Sequence, residues 1–258
     1  VELDEDNGEH PGTIAVVNGD PLAGRVDYTG ERLLLDDVRL VAPVLPRSKV
    51  IGIGKNYADH VAEMKAKQIG GADASDPAGI ITFFKPNTSV IGPDEPVIHP
   101  ADSTEVSYEG ELAVVIGRIC KQVPADRAGD VIFGYTIAND VTARDWQRSD
   151  SQWSRAKGAD TFCPLGPWIV THLSVEDASD LSLRTLVDGE LRQDGSTSQM
   201  ITGIADLVAH CSAAMTLLPG DVILTGTPAG VGAVVPGQRV DVSIDGIGTL
   251  TNTIVAEG

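Results

Sequence analysis

The chain is short of cysteine, of positive charge and of aromatic residues. Its three cysteines, Cys120, Cys163 and Cys211, lie far apart among 258 residues, and no C-x-x-C occurs. Three thiols cannot all pair, which excludes a complete disulfide framework; reduced, buried thiols in the cytoplasm are expected. Lys and Arg number 19 against 37 Asp and Glu, a formal charge of −18. That balance disfavours nucleic acid and anionic membrane as partners, because phosphate binding needs a basic surface. An anionic small molecule then needs a local cluster of cations. No apolar run approaches the ~20 residues of a membrane helix. The opening "VELDEDNGEHPG" is acidic where a signal peptide carries a basic flank, so no signal peptide is expected. Also missing are the H-E-x-x-H of zinc proteases and the G-x-S-x-G nucleophile elbow. "GIGKNYA" lacks the third glycine of a dinucleotide fingerprint, and "TGTPAGVG" lacks the Lys-Ser/Thr of a phosphate loop.

What is present is mostly strand. Residues 13–42 carry short strand-like runs, and "APVLPRS" reads as a linker. A small N-terminal β unit over residues 1–45 and a larger domain over 46–258 follow. In "KVIGIGKNYADHVAEMKAK" an apolar run ends in glycines and a helical pattern begins, with Asn56 placed to cap it. Tyr57, Val61 and Met64 share one helix face; His60 and Glu63 share the next. Residues 69–79 are small and polar, and a loop of that kind beside a short amphipathic helix suits an active-site lid. From residue 80 onward strands dominate, the last two forming a hairpin turned at Asp245-Gly246. One further helix is expected in "MITGIADLVAHCSAAMT". Strands outnumber helices without alternating with them, which predicts a β-rich α+β fold.

Two glutamates interrupt one apolar strand. Alternation along residues 106–116 sets Glu109 and Glu111 on the same face, about 6–7 Å apart. Their repulsion there is about 2.5 kcal/mol at an effective dielectric of ~20, and burial adds desolvation. A divalent cation between them reverses the sign. A solvated strand face is the plain alternative for E-x-E alone. "VIFGYTIAND" ends a second apolar strand in Asp140, a turn former or a third ligand. Three carboxylates without His or Cys suit a hard ion, Mg²⁺ or Mn²⁺.

Six segments, in order from residue 54 to 232, resemble the fumarylacetoacetate hydrolase family: "GKNYADHVAE", "FFKP", "YEGELAVVIG", "GYTIANDVTARDWQ", "AKGADTFCPLGPWIV" and "LLPGDVILTGTPAGVG". The resemblance implies a mixed β-sandwich roll with a short lid helix, a homodimer, and a Mg²⁺ or Mn²⁺ site on Glu109, Glu111 and Asp140. Larger members have a fourth acidic ligand seven residues before the motif His; here that position is Ile53. The chain is therefore similar to the shorter, three-carboxylate branch, whose substrates share a 2-oxo acid head. By the same resemblance, His60 and Glu63 form a catalytic dyad joined by Lys157, while Arg144, Gln147 and Thr227 bind substrate. Lys85 is given no role, and His99, His172 and His210 read as structural or surface residues. The implied reaction is metal-dependent C–C bond cleavage in a 2-oxo acid, either acylpyruvate hydrolysis or oxaloacetate decarboxylation. The alternatives are a 2-hydroxyhepta-2,4-diene-1,7-dioate isomerase or decarboxylase and, more remotely, a non-catalytic metal-binding protein.

Overall fold

The computed structural model describes residues 2–3, 12–66 and 80–258; the expected loop at 69–79 lies outside them. The chain divides into two compact units, Val1–Leu40 and Val41–Gly258. In the first, the strands Glu2–Leu3, Thr13–Asn18 and Asp27–Leu34 form a three-stranded antiparallel sheet.

The second unit is β-rich. Its largest sheet runs, edge to edge, through Ile81–Lys85, Val50–Gly54, Val222–Leu224, Gly110–Ile116, Ile132–Asn139, Cys163–Val170 and Val90–Ile91. The sheet is mixed: Val222–Leu224 pairs parallel with Val50–Gly54 and antiparallel with Gly110–Ile116. A second sheet is built from Glu190–Ser196, Ser182–Val187, Arg239–Ile244, Gly248–Ala256 and Val97–His99. Its Arg239–Ile244 and Gly248–Ala256 form the expected hairpin, with Gly246 at φ +76° in the turn. The expected C-terminal helix spans Ile204–Ala214 and buries Ile204, Leu207, Val208 and Cys211.

The strand Gly110–Ile116 lies near the middle of the large sheet and is buried along its whole length. That explains its continuous apolar run: a strand covered on both faces has no reason to alternate. The two sheets meet closely at Gly110. A Cβ there would stand 2.4 Å from Thr185 Oγ1 and 2.9 Å from Val242 Cγ1, so only glycine fits.

The structure corrects two expectations. Residues 106–116 are not one strand. Val106–Tyr108 belongs to a separate small sheet with Thr142–Ala143 and Gly232–Val234, and the chain changes sheets at Glu109. The neighbouring strand does the same: Gly110 and Asn139 are the last pair of the large-sheet ladder, and Thr142 then pairs with Ser107. Glu109 and Asp140 thus sit together in the gap between two sheets, with Asp140 N donating to Glu109 O at 2.8 Å. The second correction concerns Asn56. It does not cap the helix Ala58–Ala66. Its amide instead donates to Thr202 O and Thr225 O and accepts from Thr202 N, which ties the start of that helix to two loops. Three such partners satisfy the buried amide better than one helical N–H would.

Candidate metal centre and active site

Glu109, Glu111 and Asp140 each offer a carboxylate oxygen, and these lie within 4.8 Å of one another. The three residues are 4%, 2% and 1% exposed, so water does little to screen their repulsion. Three cations share the same interior: Lys85, Lys157 and Arg144, all buried. Lys157 Nζ lies 2.6 Å from Glu109 Oε2 and 2.6 Å from Asp140 Oδ2. Arg144 donates to Glu109 Oε1 at 2.5 Å, and Lys85 pairs with Asp140 Oδ1.

Glu111 is the odd member. Among the described residues it forms no ion pair, and its Oε2 accepts only the Gly226 N–H at 2.7 Å. Gly226 has φ +97°, a conformation that suits glycine, and this turns its N–H inward. The three carboxyls are pulled in different directions. Burial pushes Glu109 up, but Lys157, Arg144 and His60 outweigh it and hold this carboxyl well below the usual range. Burial also opposes the charge on Lys157, yet Asp140 and Glu109 hold its pKa above the ordinary value. Burial lifts Glu111, and the charges of Asp140 and Glu109 lift it further, with Lys157 and the Gly226 N–H only partly offsetting them. A buried carboxylate with no ion-pair partner among the described residues, facing two others, is what a hard dication relieves. The donor set therefore fits Mg²⁺ or Mn²⁺.

For metal-free protein, the raised Glu111 pKa gives stability that is present below the unfolded carboxylate pKa and is lost as pH rises through the folded one. The melting temperature of EDTA-treated wild type is expected to fall relative to Glu111→Gln as pH rises above about 4.5, near an ordinary glutamate pKa. The gap is expected to level off once Glu111 is ionised. A constant gap across that range in thermal scans would remove the raised pKa as its cause.

The dyad lies beside this cluster. His60 and Glu63 stand one turn apart on the helix Ala58–Ala66, and His60 is buried. His60 Nδ1 has no hydrogen-bond partner among the described residues and lies 3.7 Å from Glu63 Oε2. Glu63 Oε2 accepts the Gly230 N–H at 3.0 Å, which ties this helix to the loop that carries Gly226 and Thr227.

The expected substrate-binding residues are arranged less simply. Arg144 and Gln147 are buried on the short helix Arg144–Ser149. Arg144 bonds Glu109 and, at 3.0 Å, Gln147 Oε1, and its Nε is a buried donor without a partner among the described residues. The Thr227 hydroxyl donates to Gly110 O and accepts from Gln193 Nε2, both at 2.8 Å, so it is committed to the protein's own backbone and an amide. Lys85 joins the site although the sequence reading gives it no role. A signal for it exists: alternation in the strand Ile81–Lys85 sets it on the same face as Phe83, and the structure buries both. Asn139, whose Oδ1 accepts the Glu109 N–H at 2.9 Å, is a further residue that sequence reasoning misses.

Residues 49–255 match the family described as fumarylacetoacetate (FAA) hydrolase, C-terminal, and residues 5–43 match one described as Rv2993c-like, N-terminal. The chain belongs to the fumarylacetoacetate hydrolase family. Among solved structures of the family, a 5-carboxymethyl-2-hydroxymuconate delta-isomerase from Mycobacterium smegmatis is 50% identical, with a TM-score of 0.87 over 100% of this chain and 94% of that one. Oxaloacetate tautomerase YisK from Bacillus subtilis is 43% identical over 85% of this chain and 74% of its own. A maleylpyruvate hydrolase from Sphingobium sp. SYK-6, solved with manganese(II) and pyruvate, is 35% identical, with a TM-score of 0.74 over 88% of this chain and 78% of that one. The β-rich α+β architecture is accordingly the fumarylacetoacetate hydrolase fold.

Proposed function

We propose that the protein is a Mg²⁺- or Mn²⁺-dependent hydrolase or lyase that breaks a C–C bond in a 2-oxo acid, either an acylpyruvate or oxaloacetate. The observation that carries this reading is the buried triad of Glu109, Glu111 and Asp140, with carboxylate oxygens within 4.8 Å of one another. Glu109, Glu111 and Asp140 would hold the dication. When bound, the ion supplies a Lewis acid for the carboxylate and 2-oxo oxygens of the substrate and a sink for the charge that the broken bond leaves.

The remaining steps fall to side chains. Lys157 spends two N–H groups on Glu109 and Asp140, which keeps those carboxylates oriented, and its third is a donor for a substrate oxygen. Arg144 Nε, buried and unpartnered, is a second donor for an anionic head group. Glu63 is anchored by the Gly230 N–H, and its carboxylate, 3.7 Å from His60 Nδ1, would accept a hydrogen bond from Nδ1–H once the two draw together, a tautomer that leaves Nε2 as the basic nitrogen. His60 can then take a proton from a water that attacks the distal carbonyl of an acylpyruvate. Decarboxylation of oxaloacetate needs no such water. The family resemblance supports a homodimer as the assembled form, which light scattering at twice 27.0 kDa would register.

A second reading is enol–keto isomerisation, or isomerisation and decarboxylation of a hydroxyheptadienedioate. Its support is the isomerase and tautomerase names of relatives at 50% and 43% identity. A buried His60 with a neighbouring carboxylate serves proton transfer in either case. It has no use in a protein that only stores metal.

The experiment is a substrate panel: acetylpyruvate, fumarylpyruvate, oxaloacetate and a hydroxyheptadienedioate, each with Mn²⁺. Turnover of an acylpyruvate or oxaloacetate to pyruvate is expected, stopped by EDTA and restored by Mn²⁺. Loss of enol absorbance with no pyruvate formed from any substrate would replace this reading with the second.

A further inference from the structure

The two glutamates of the proposed metal site flank Gly110, and that peptide is held from outside its own sheet. Gln193 lies on the strand Glu190–Ser196 of the other sheet, fully buried between exposed Arg192 and Asp194. Its carboxamide oxygen accepts the Gly110 N–H at 3.0 Å. Its nitrogen donates to Thr227 Oγ1 at 2.8 Å and to Pro228 O at 2.9 Å. Thr227 closes the ring by donating to Gly110 O at 2.8 Å. One amide thus joins the N–H of Gly110 directly, and its C=O through Thr227, to the loop whose Gly226 N–H holds Glu111.

This arrangement answers a need created by the fold. Glu109 lies where the chain leaves one sheet for another, so the ladder of the large sheet ends at Gly110; beyond it the Glu109 backbone is held by Asp140 N and Asn139 Oδ1, and Gln193 adds the bond on the Gly110 N–H. Small rotations of the Gly110 peptide would swing the two flanking carboxylates relative to each other. Metal ligands tolerate displacements of only about 0.5 Å before the site loosens. We infer that Gln193 is a positioning residue for the dication: it fixes the Gly110 peptide and the Thr227 hydroxyl, and through them the spacing of Glu109 and Glu111. The inference rests on the reading of these carboxylates as metal ligands. Thr227 takes part through its bond to Gly110 O.

The test uses the full chain, stripped of metal and titrated with Mn²⁺ by calorimetry, with the melting temperature of each metal-free variant measured alongside. Gln193→Ala is expected to bind Mn²⁺ about 10- to 100-fold more weakly. Gln193→Glu keeps the shape and can still accept the Gly110 N–H, but when ionised it cannot donate to Thr227 or Pro228 O, and it is expected to weaken binding as well. Thr227→Ser retains the hydroxyl and is expected to bind as wild type does, whereas Thr227→Val is not. Asn252→Ala is the structural control. It removes a buried amide bonded to Gly92 O and Glu95 O, each at 2.9 Å, and is expected to lower the melting temperature without changing Mn²⁺ affinity. Wild-type affinity in both Gln193 variants would overturn the inference, as would equal weakening in Asn252→Ala. Should Gln193→Ala fail to fold, the Thr227→Ser and Thr227→Val pair decides. If wild type itself binds no Mn²⁺, the metal-site reading falls first and this inference with it.

Discussion

Glu111→Gln is expected to be more stable than the metal-free wild type and nearly inert. The carboxylate is buried, accepts one backbone N–H and faces the charges of Asp140 and Glu109. Replacing it by an amide removes that repulsion, each kcal/mol of relief raising the melting temperature by about 2–4 °C in a chain of this size. The same replacement removes one of the three proposed anionic ligands. If the bound dication contributes about 4 kcal/mol to the transition state, its loss lowers kcat/KM by ~10³-fold. Thermal scans of EDTA-treated protein, Mn²⁺ titration and the pyruvate assay check the three parts together. Wild-type activity and metal content in this variant would mean that the ion, or the chemistry, is elsewhere.

His60→Ala is expected to lower acylpyruvate hydrolysis ~10²- to 10⁴-fold, the usual contribution of a general base. Mn²⁺ affinity is expected to stay as in wild type, because His60 is not among the three proposed ligands. Oxaloacetate decarboxylation, which needs no activated water, is expected to be spared; equal loss of both activities would end the water-activating role. Glu63 gives a sharper comparison. In Glu63→Gln the amide oxygen still accepts the Gly230 N–H, so the helix keeps its tie while the charge beside His60 is gone. In Glu63→Ala both are gone. Hydrolysis is expected to fall in both variants, and further in the alanine variant. A fully active glutamine variant would show that Glu63 only anchors the helix.

Much of the site is legible in the order of the residues. Glu109 and Glu111 stand out because glutamates are costly in an apolar run, and Asp140 because it ends another such run. Lys85 obeys the same logic, as a charge on the buried face of a strand. Gln193 carries no such mark. Its neighbours are polar, its strand is an edge, and nothing local separates a buried amide from an exposed one. Asn56 misleads for the opposite reason. Its local signal, a capping residue before a helix, is clear, but partners at Thr202 and Thr225 claim the amide.

The sequence by itself determined the β-rich class, the hairpin at Gly246, the helix Ile204–Ala214 and the acidic residues able to grip an ion, because these depend on periodicity, turn chemistry and the cost of burying charge. The tertiary structure alone decided that residues 106–116 split between two sheets, that Lys157 bridges Glu109 and Asp140, and that Glu111 has no ion-pair partner among the described residues. Those outcomes depend on which distant segments come within hydrogen-bond range, and a one-dimensional pattern does not encode a contact distance.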